Sequence, residues 1–143
     1  MTNTELSMPS QEHNHSIRVY YEDTDAGGIV YYANYLKFFE RGRTEWLREM
    51  GINQAFFLEQ QLGFVVRKVE MDNLASAKLD DVLNVHSTIV TLKRASLVFQ
   101  QEIKSQHQQL LCTAKVKIAC VDFKANKPCA IPESILGAFK RVS

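Results

Sequence analysis

A chain of 143 residues with a net charge of +1 is long enough for one domain with a core of its own. Its 45% hydrophobic and 23% charged residues are those of an ordinary soluble globular protein. The near-neutral balance gives no basis for nucleic acid or an anionic membrane as partner, and no apolar run is long enough to span a bilayer.

The first fifteen residues, MTNTELSMPSQEHNH, are polar and lack the apolar segment of a signal peptide. They read as a flexible N-terminal tail ahead of a single domain over 16–143, and the protein is expected in the cytoplasm. From Val19 to Gly51 the chain reads VYYEDTDAGGIVYYANYLKFFERGRTEWLREMG. This stretch opens as a strand, crosses an acidic turn ending in two glycines and enters the one long helix. Tyr35, Leu36, Phe39, Trp46, Leu47 and Met50 recur at helical intervals, with Lys37, Glu40, Arg41, Arg43, Glu45, Arg48 and Glu49 between them. Asn34 is the expected N-cap and Gly51 the stop. Gly42 lies on the apolar stripe, where a glycine costs about 1 kcal/mol relative to alanine. That cost is consistent with another backbone packing closely there, so the helix is expected at the centre of the fold.

Beyond Gly51, Asn53 is expected to cap a short helix, QAFFLEQQL, closed by Gly63. Strand patterns follow. FVVRKVEM is dense in valine, and Leu74 to Asp81 reads as a turn or bulge. Val82–Lys93, Ser96–Lys104 and Leu110–Phe123 alternate as strands, with Cys112, Ala114, Val116, Ile118 and Cys120 on one face of the last. Pro132 opens a final helix that runs to Lys140. One long helix followed by neighbouring long strands points to an α+β fold, an antiparallel sheet packed on that helix. Cys112, Cys120 and Cys129 are an odd number without metal-ligand spacing and read as reduced thiols. His13 and His15 fall in the tail, and His86 and His107 at polar places in strand-like segments. Glu22, Asp23 and Asp25 have no nearby His or Cys to complete a metal site, so neither metal nor cofactor is expected.

The chemistry-bearing stretch is the acidic turn. Asp23 and Asp25 precede Gly27-Gly28 and a helix N-terminus, whose unpaired N–H groups suit an oxyanion. A carboxylate facing that point serves as nucleophile or general base. On local pattern alone both aspartates are expected simply to shape the turn.

YEDTDAGGIVYYANYLKFFERGRTEWLR, FVVRKVEMDNLASAKLDDVLNV, RASLVFQQEI and ACVDFKANKPCAIPESILGAF follow one another in order from Ile17 to Lys140. Together they resemble the hotdog-fold acyl-CoA thioesterases of the 4-hydroxybenzoyl-CoA thioesterase family, and within it the bacterial Tol-Pal-associated branch. The resemblance implies a hotdog fold, a long central helix wrapped by an antiparallel sheet. It also implies subunits paired edge to edge as a homodimer or homotetramer, which would cover an exposed strand edge. It places the catalytic carboxylate on Asp25 and the carbonyl-polarising backbone N–H on Tyr32, where the branch usually has His. It also places Arg94 and Ser96 in a strand and turn that contact CoA; both residue types suit phosphate oxygens. Asn73-Leu74-Ala75-Ser76 departs from the aromatics and proline usual in the branch before the acidic pair.

The implied function is hydrolysis of an acyl-CoA thioester. Two other classes fit the same fold. A hydratase or dehydratase typically needs a His as acid/base, and the turn-helix stretch has none. A non-catalytic acyl-CoA or acyl-carrier-protein binding module, a scaffold for envelope or phospholipid machinery, would not need Asp25.

Overall fold

The computed structural model describes residues 11–143. Its elements run in the order β1 (His13–Arg18), a 3-10 turn (Tyr21–Asp23), α1 (Asn34–Glu49), α2 (Gln54–Glu59), β2 (Leu62–Asn73), β3 (Val82–Leu92), β4 (Ser96–Lys104), β5 (Leu110–Asp122), β6 (Lys127–Pro128) and α3 (Glu133–Val142). The sheet is antiparallel in the order β1-β3-β4-β5-β2, with β6 added to the end of β5.

The inner face of the sheet follows the period-2 alternation of the strands. Leu83, Val85 and Ile89 of β3, Leu97, Phe99 and Ile103 of β4, and Cys112, Ala114, Val116, Ile118 and Cys120 of β5 are all buried. Against them lies α1, which buries Tyr35, Phe38, Phe39, Gly42, Trp46 and Leu47. The central helix expected from the sequence is therefore present, and its apolar stripe is the one that meets the sheet. Leu36, assigned to that stripe, is 42% exposed, whereas Phe38 is fully buried.

At Gly42 the helix approaches the sheet closely. A Cβ at that position would lie 2.6 Å from Val85 Cγ1 and 3.3 Å from Val85 Cβ. Replacing Gly42 with Leu is expected to destabilise the protein by about 1–3 kcal/mol through overpacking. A thermal melt no lower than the parent's would mean that α1 can move off β3.

Several local expectations change. The N-terminal strand does not open at Val19 but lies earlier, at His13–Arg18, so three residues read as tail belong to the sheet. His13 is buried, stacked on Trp46 and 2.9 Å from Glu49 through Nε2. Met1–Ser10, the remainder of that expected tail up to Gln11, lie outside the described residues. The N-cap of α1 is Ala33 and no side chain caps it; Asn34 is the first helical residue. Asn53 does cap α2, accepting the Phe56 N–H at 3.0 Å, but α2 ends at Glu59 and Gly63 lies inside β2. Gly63 serves packing instead, because a Cβ there would lie 2.6 Å from the Phe123 ring. Gly51 ends α1 as expected, with φ of +86°.

Candidate active site

The acidic turn is a tight hairpin. Asp25 N–H donates to Ile29 O at 2.9 Å and Gly28 N–H to Asp25 O at 3.1 Å, while Thr24 bridges Val30. Gly28 takes φ of +78°, a conformation glycine adopts without a Cβ penalty. The hairpin is held against the segment before β3: Val30 N–H donates to Ala77 O at 2.8 Å and Leu79 N–H to Gly28 O at 3.1 Å. These bonds fix the backbone under Asp25 from two sides.

The two aspartates have different surroundings. Asp23 Oδ2 accepts the Tyr20 N–H at 2.8 Å, and its carbonyl accepts Tyr31 N–H at 3.1 Å and Asn34 Nδ2 at 2.9 Å. Asp23 thus ties the turn to the start of α1. Asp25 is exposed. Its Oδ1 accepts the Gly27 N–H at 2.8 Å, and among the described residues no donor reaches Oδ2. A carboxylate oriented through one oxygen and open at the other is disposed for attack or for proton abstraction.

At the helix start the chain makes a tight turn before α1 proper. Asn34, Tyr35 and Leu36 N–H groups donate to Tyr31, Tyr32 and Ala33 carbonyls. The Tyr32 N–H itself, one residue before the Ala33 N-cap, has no acceptor among the described residues. The Tyr32 ring is 57% exposed and leans on Tyr31.

Asp25 and Tyr32 line one open cleft of about 430 Å³. Tyr31 and Tyr35 line it too, and its far wall is Asn73-Leu74-Ala75-Ser76, the segment that departs from the branch pattern. The Tyr35 hydroxyl accepts the Ala77 N–H at 3.0 Å, and burial raises its pKa above the usual phenol value. The sequence pattern marks Tyr35 only as an apolar helix residue, and nothing local shows that its hydroxyl anchors the loop behind Asp25.

Arg94 and Ser96 are not brought to this cleft within one chain. Ser96 pairs with Ala119, whereas Asn73 at the cleft pairs with Cys112. Seven residues along β5 separate these positions, roughly 23 Å at the rise of an extended strand. Arg94 is exposed in the β3–β4 turn, where its carbonyl accepts the Ile131 N–H at 2.8 Å.

Arg43 is placed differently from its expected polar face. It is buried, and its Nη1 donates to Gln101 Oε1 at 2.9 Å. Gln101 Nε2 in turn donates to Phe39 O and Ser87 Oγ at 3.0 and 2.9 Å. Burial lowers the Arg43 pKa to about 10, opposed by Glu40 nearby. Gln101 and Ser87 occupy inner-face positions of β4 and β3, where alternation predicts apolar residues; only the pairing across strands reveals a satisfied polar network. Glu40 accepts from the Thr44 hydroxyl and borders a separate groove with Leu36, Val66 and Val69. No cluster of His, Cys, Asp or Glu suited to a metal ion occurs among the described residues.

Residues 19–139 match the model of the Thioesterase-like superfamily. The chain is 48% identical over 124 residues to the acyl-CoA thioesterase YbgC of Haemophilus influenzae, covering 86% of this chain and 90% of that one. It is 46% identical over 125 residues to the acyl-CoA thioester hydrolase YbgC of Escherichia coli, covering 87% and 93%. Among solved structures, a probable thioesterase from Bartonella henselae superimposes with a TM-score of 0.80 at 38% identity, covering 85% of this chain and 99% of that one.

Proposed function

Because the chain belongs to the Thioesterase-like superfamily, with its hotdog fold, we propose that it is an acyl-CoA thioester hydrolase working through Asp25 and the Tyr32 amide. The observation that carries this reading is the shared cleft. Asp25 and Tyr32 line the same 430 Å³ space, which supports a nucleophile or base working together with an electrophilic N–H donor.

In the proposed reaction the thioester carbonyl lies against the Tyr32 N–H, in the positive field of the α1 N-terminus. As the carbonyl carbon becomes tetrahedral, charge grows on the oxygen and the amide stabilises it. Asp25 Oδ2 either attacks the carbon, giving an acyl-aspartyl anhydride that water then opens, or takes a proton from an attacking water. In both routes the CoA thiolate leaves and the free acid follows. Among the described residues the lining of the cleft contains no histidine, which weighs against hydratase chemistry.

The reading also accounts for the distance between Asp25 and Arg94. Among the described residues, β2 is a twelve-residue strand with one edge unpaired, and its own Val66 and Val69 are exposed. An antiparallel pairing of β2 with the same strand of a second copy covers that edge. It also reverses the partner sheet, bringing Arg94 and Ser96 of the partner subunit alongside the Asn73 end of this chain. CoA would then bind between subunits, its phosphates toward the partner's arginine.

A hydrolysis screen over short, long and aromatic acyl-CoAs, following released thiol, tests the activity. Absence of turnover with retained CoA binding would leave a binding module in its place. Single turnover in labelled water distinguishes the routes: label enters the Asp25 carboxylate only if an anhydride forms. The shared site gives a sharper test. Asp25→Asn and Arg94→Ala homodimers should each lose activity, and mixing them in equal amounts under subunit exchange should restore about a quarter of it, since about half of the dimers are then mixed and one site of each mixed dimer has both residues. A monomer in light scattering, or no recovery on exchange, would overturn the two-subunit site.

A further inference from the structure

Two of the three thiols face each other at the end of the sheet. Val121 pairs with Pro128 and Asp122 with Lys127, so the next step of that register sets Cys120 opposite Cys129. The Cys129 N–H donates to the Cys120 carbonyl at 3.0 Å, and the two sulfurs lie 3.5 Å apart. Directly opposed residues of an antiparallel pair have Cα atoms about 4.5–5.5 Å apart, within the roughly 4.4–6.8 Å that a disulfide spans. Closing a bond here needs rotation about Cα–Cβ and no rearrangement of strands. Access is unequal, since Cys120 is fully buried and Cys129 is partly open.

We propose that Cys120 and Cys129 form a thiol–disulfide exchange site that closes reversibly on reaction with a low-molecular-weight disulfide. The thiolate of Cys129 attacks one sulfur of that disulfide, its S–S bond breaks, and the first small thiol leaves. Cys120 then gives its proton to solvent and attacks the Cys129 sulfur, releasing the second small thiol. In balance, two protein thiols are oxidised to one disulfide and one small disulfide is reduced to two thiols. Burial, together with the neighbouring Cys129, pushes the Cys120 thiol up to about 12. The more open Cys129 therefore attacks first and Cys120 resolves.

Cys112 is an internal control. It is fully buried, its Sγ lies 3.5 Å from Asn73 Oδ1, and burial pushes its thiol up to about 12. The reactive pair instead lies behind the Arg94–Ser96 turn: Cys120 N–H donates to Ala95 O at 2.9 Å and Ile131 N–H to Arg94 O at 2.8 Å. Closure would stiffen the turn assigned above to CoA; that consequence rests on the CoA reading, while the exchange chemistry does not.

The test uses the full chain and glutathione disulfide, read by intact mass and non-reducing peptide mapping. The parent should lose the mass of two hydrogens, show one Cys120–Cys129 cross-linked peptide, and recover its mass in dithiothreitol. Cys120→Ser should accumulate a stable glutathione adduct on Cys129, and Cys129→Ser should remain unmodified. A persistent glutathione adduct on the parent, a cross-link to Cys112, or an unchanged mass in a large excess of glutathione disulfide would each overturn the proposal. None of these outcomes depends on thioester hydrolysis, so they leave the assignment of activity untouched.

Discussion

Replacing Asp25 with Asn is expected to lower turnover by about 10²–10⁴-fold with the fold and CoA affinity close to the parent's. Asn keeps an oxygen for the Gly27 N–H that Asp25 Oδ1 accepts at 2.8 Å, so the hairpin loses no hydrogen bond. It cannot supply an anion to the carbonyl carbon or hold a proton taken from water. Asp23→Asn changes the net charge equally and retains an acceptor for Tyr20 N–H, yet it should cost far less activity because Asp23 is occupied in joining the turn to the helix. Glu40→Gln should also be mild, since Glu40 faces a groove other than the Asp25 cleft. Steady-state kinetics on the three variants, with melts to check folding, decide the matter. An active Asp25→Asn beside an inactive Glu40→Gln would move the chemistry from the hairpin to the helix.

Tyr32→Pro should lower turnover by about 10²–10³-fold, the effect of deleting one oxyanion donor, while Tyr32→Phe should stay within a few-fold of the parent. The Tyr32 N–H serves no acceptor among the described residues, so proline there removes no bond within them, and Tyr32 lies before the Ala33 N-cap, outside the helical hydrogen-bond ladder. The phenylalanine variant keeps the amide and removes only the hydroxyl of an exposed ring. The pair therefore separates backbone from side chain at the position where the Tol-Pal-associated branch usually has His. A folded, fully active Tyr32→Pro would assign the oxyanion to another donor. A Tyr32→Phe as impaired as the proline variant would give the side chain a part in the reaction.

The sequence by itself determined the features that depend on local periodicity and on single residues. The 3.6-residue recurrence from Tyr35 to Met50 specified a helix with one apolar stripe, and that stripe meets the sheet. Alternation in β4 and β5 specified which side chains turn inward. Gly42 marked a close approach before the partner was known, because a glycine in mid-helix is costly unless a Cβ would clash. The acidic turn and its glycines marked a helix start with a carboxylate ahead of it.

Tertiary structure decided what depends on residues distant in sequence. It showed that Asp23 is half-buried and ties the turn to the helix start through its backbone carbonyl, whereas Asp25 is exposed, although each carboxylate accepts one backbone N–H. It drew His13 into the core through pairing with β3, which a polar sequence conceals. It buried Arg43 by supplying Gln101 across the sheet; a charge on a helix reads as solvated until its partner appears. Gly63 became a seat for the Phe123 ring rather than a helix stop. Arg94 and Ser96 were separated from Asp25 by the length of β5, since a linear motif carries residue types but not the direction in which the strands run. The facing of Cys120 and Cys129 likewise follows from β6 folding back on β5, a register that no spacing in the chain specifies.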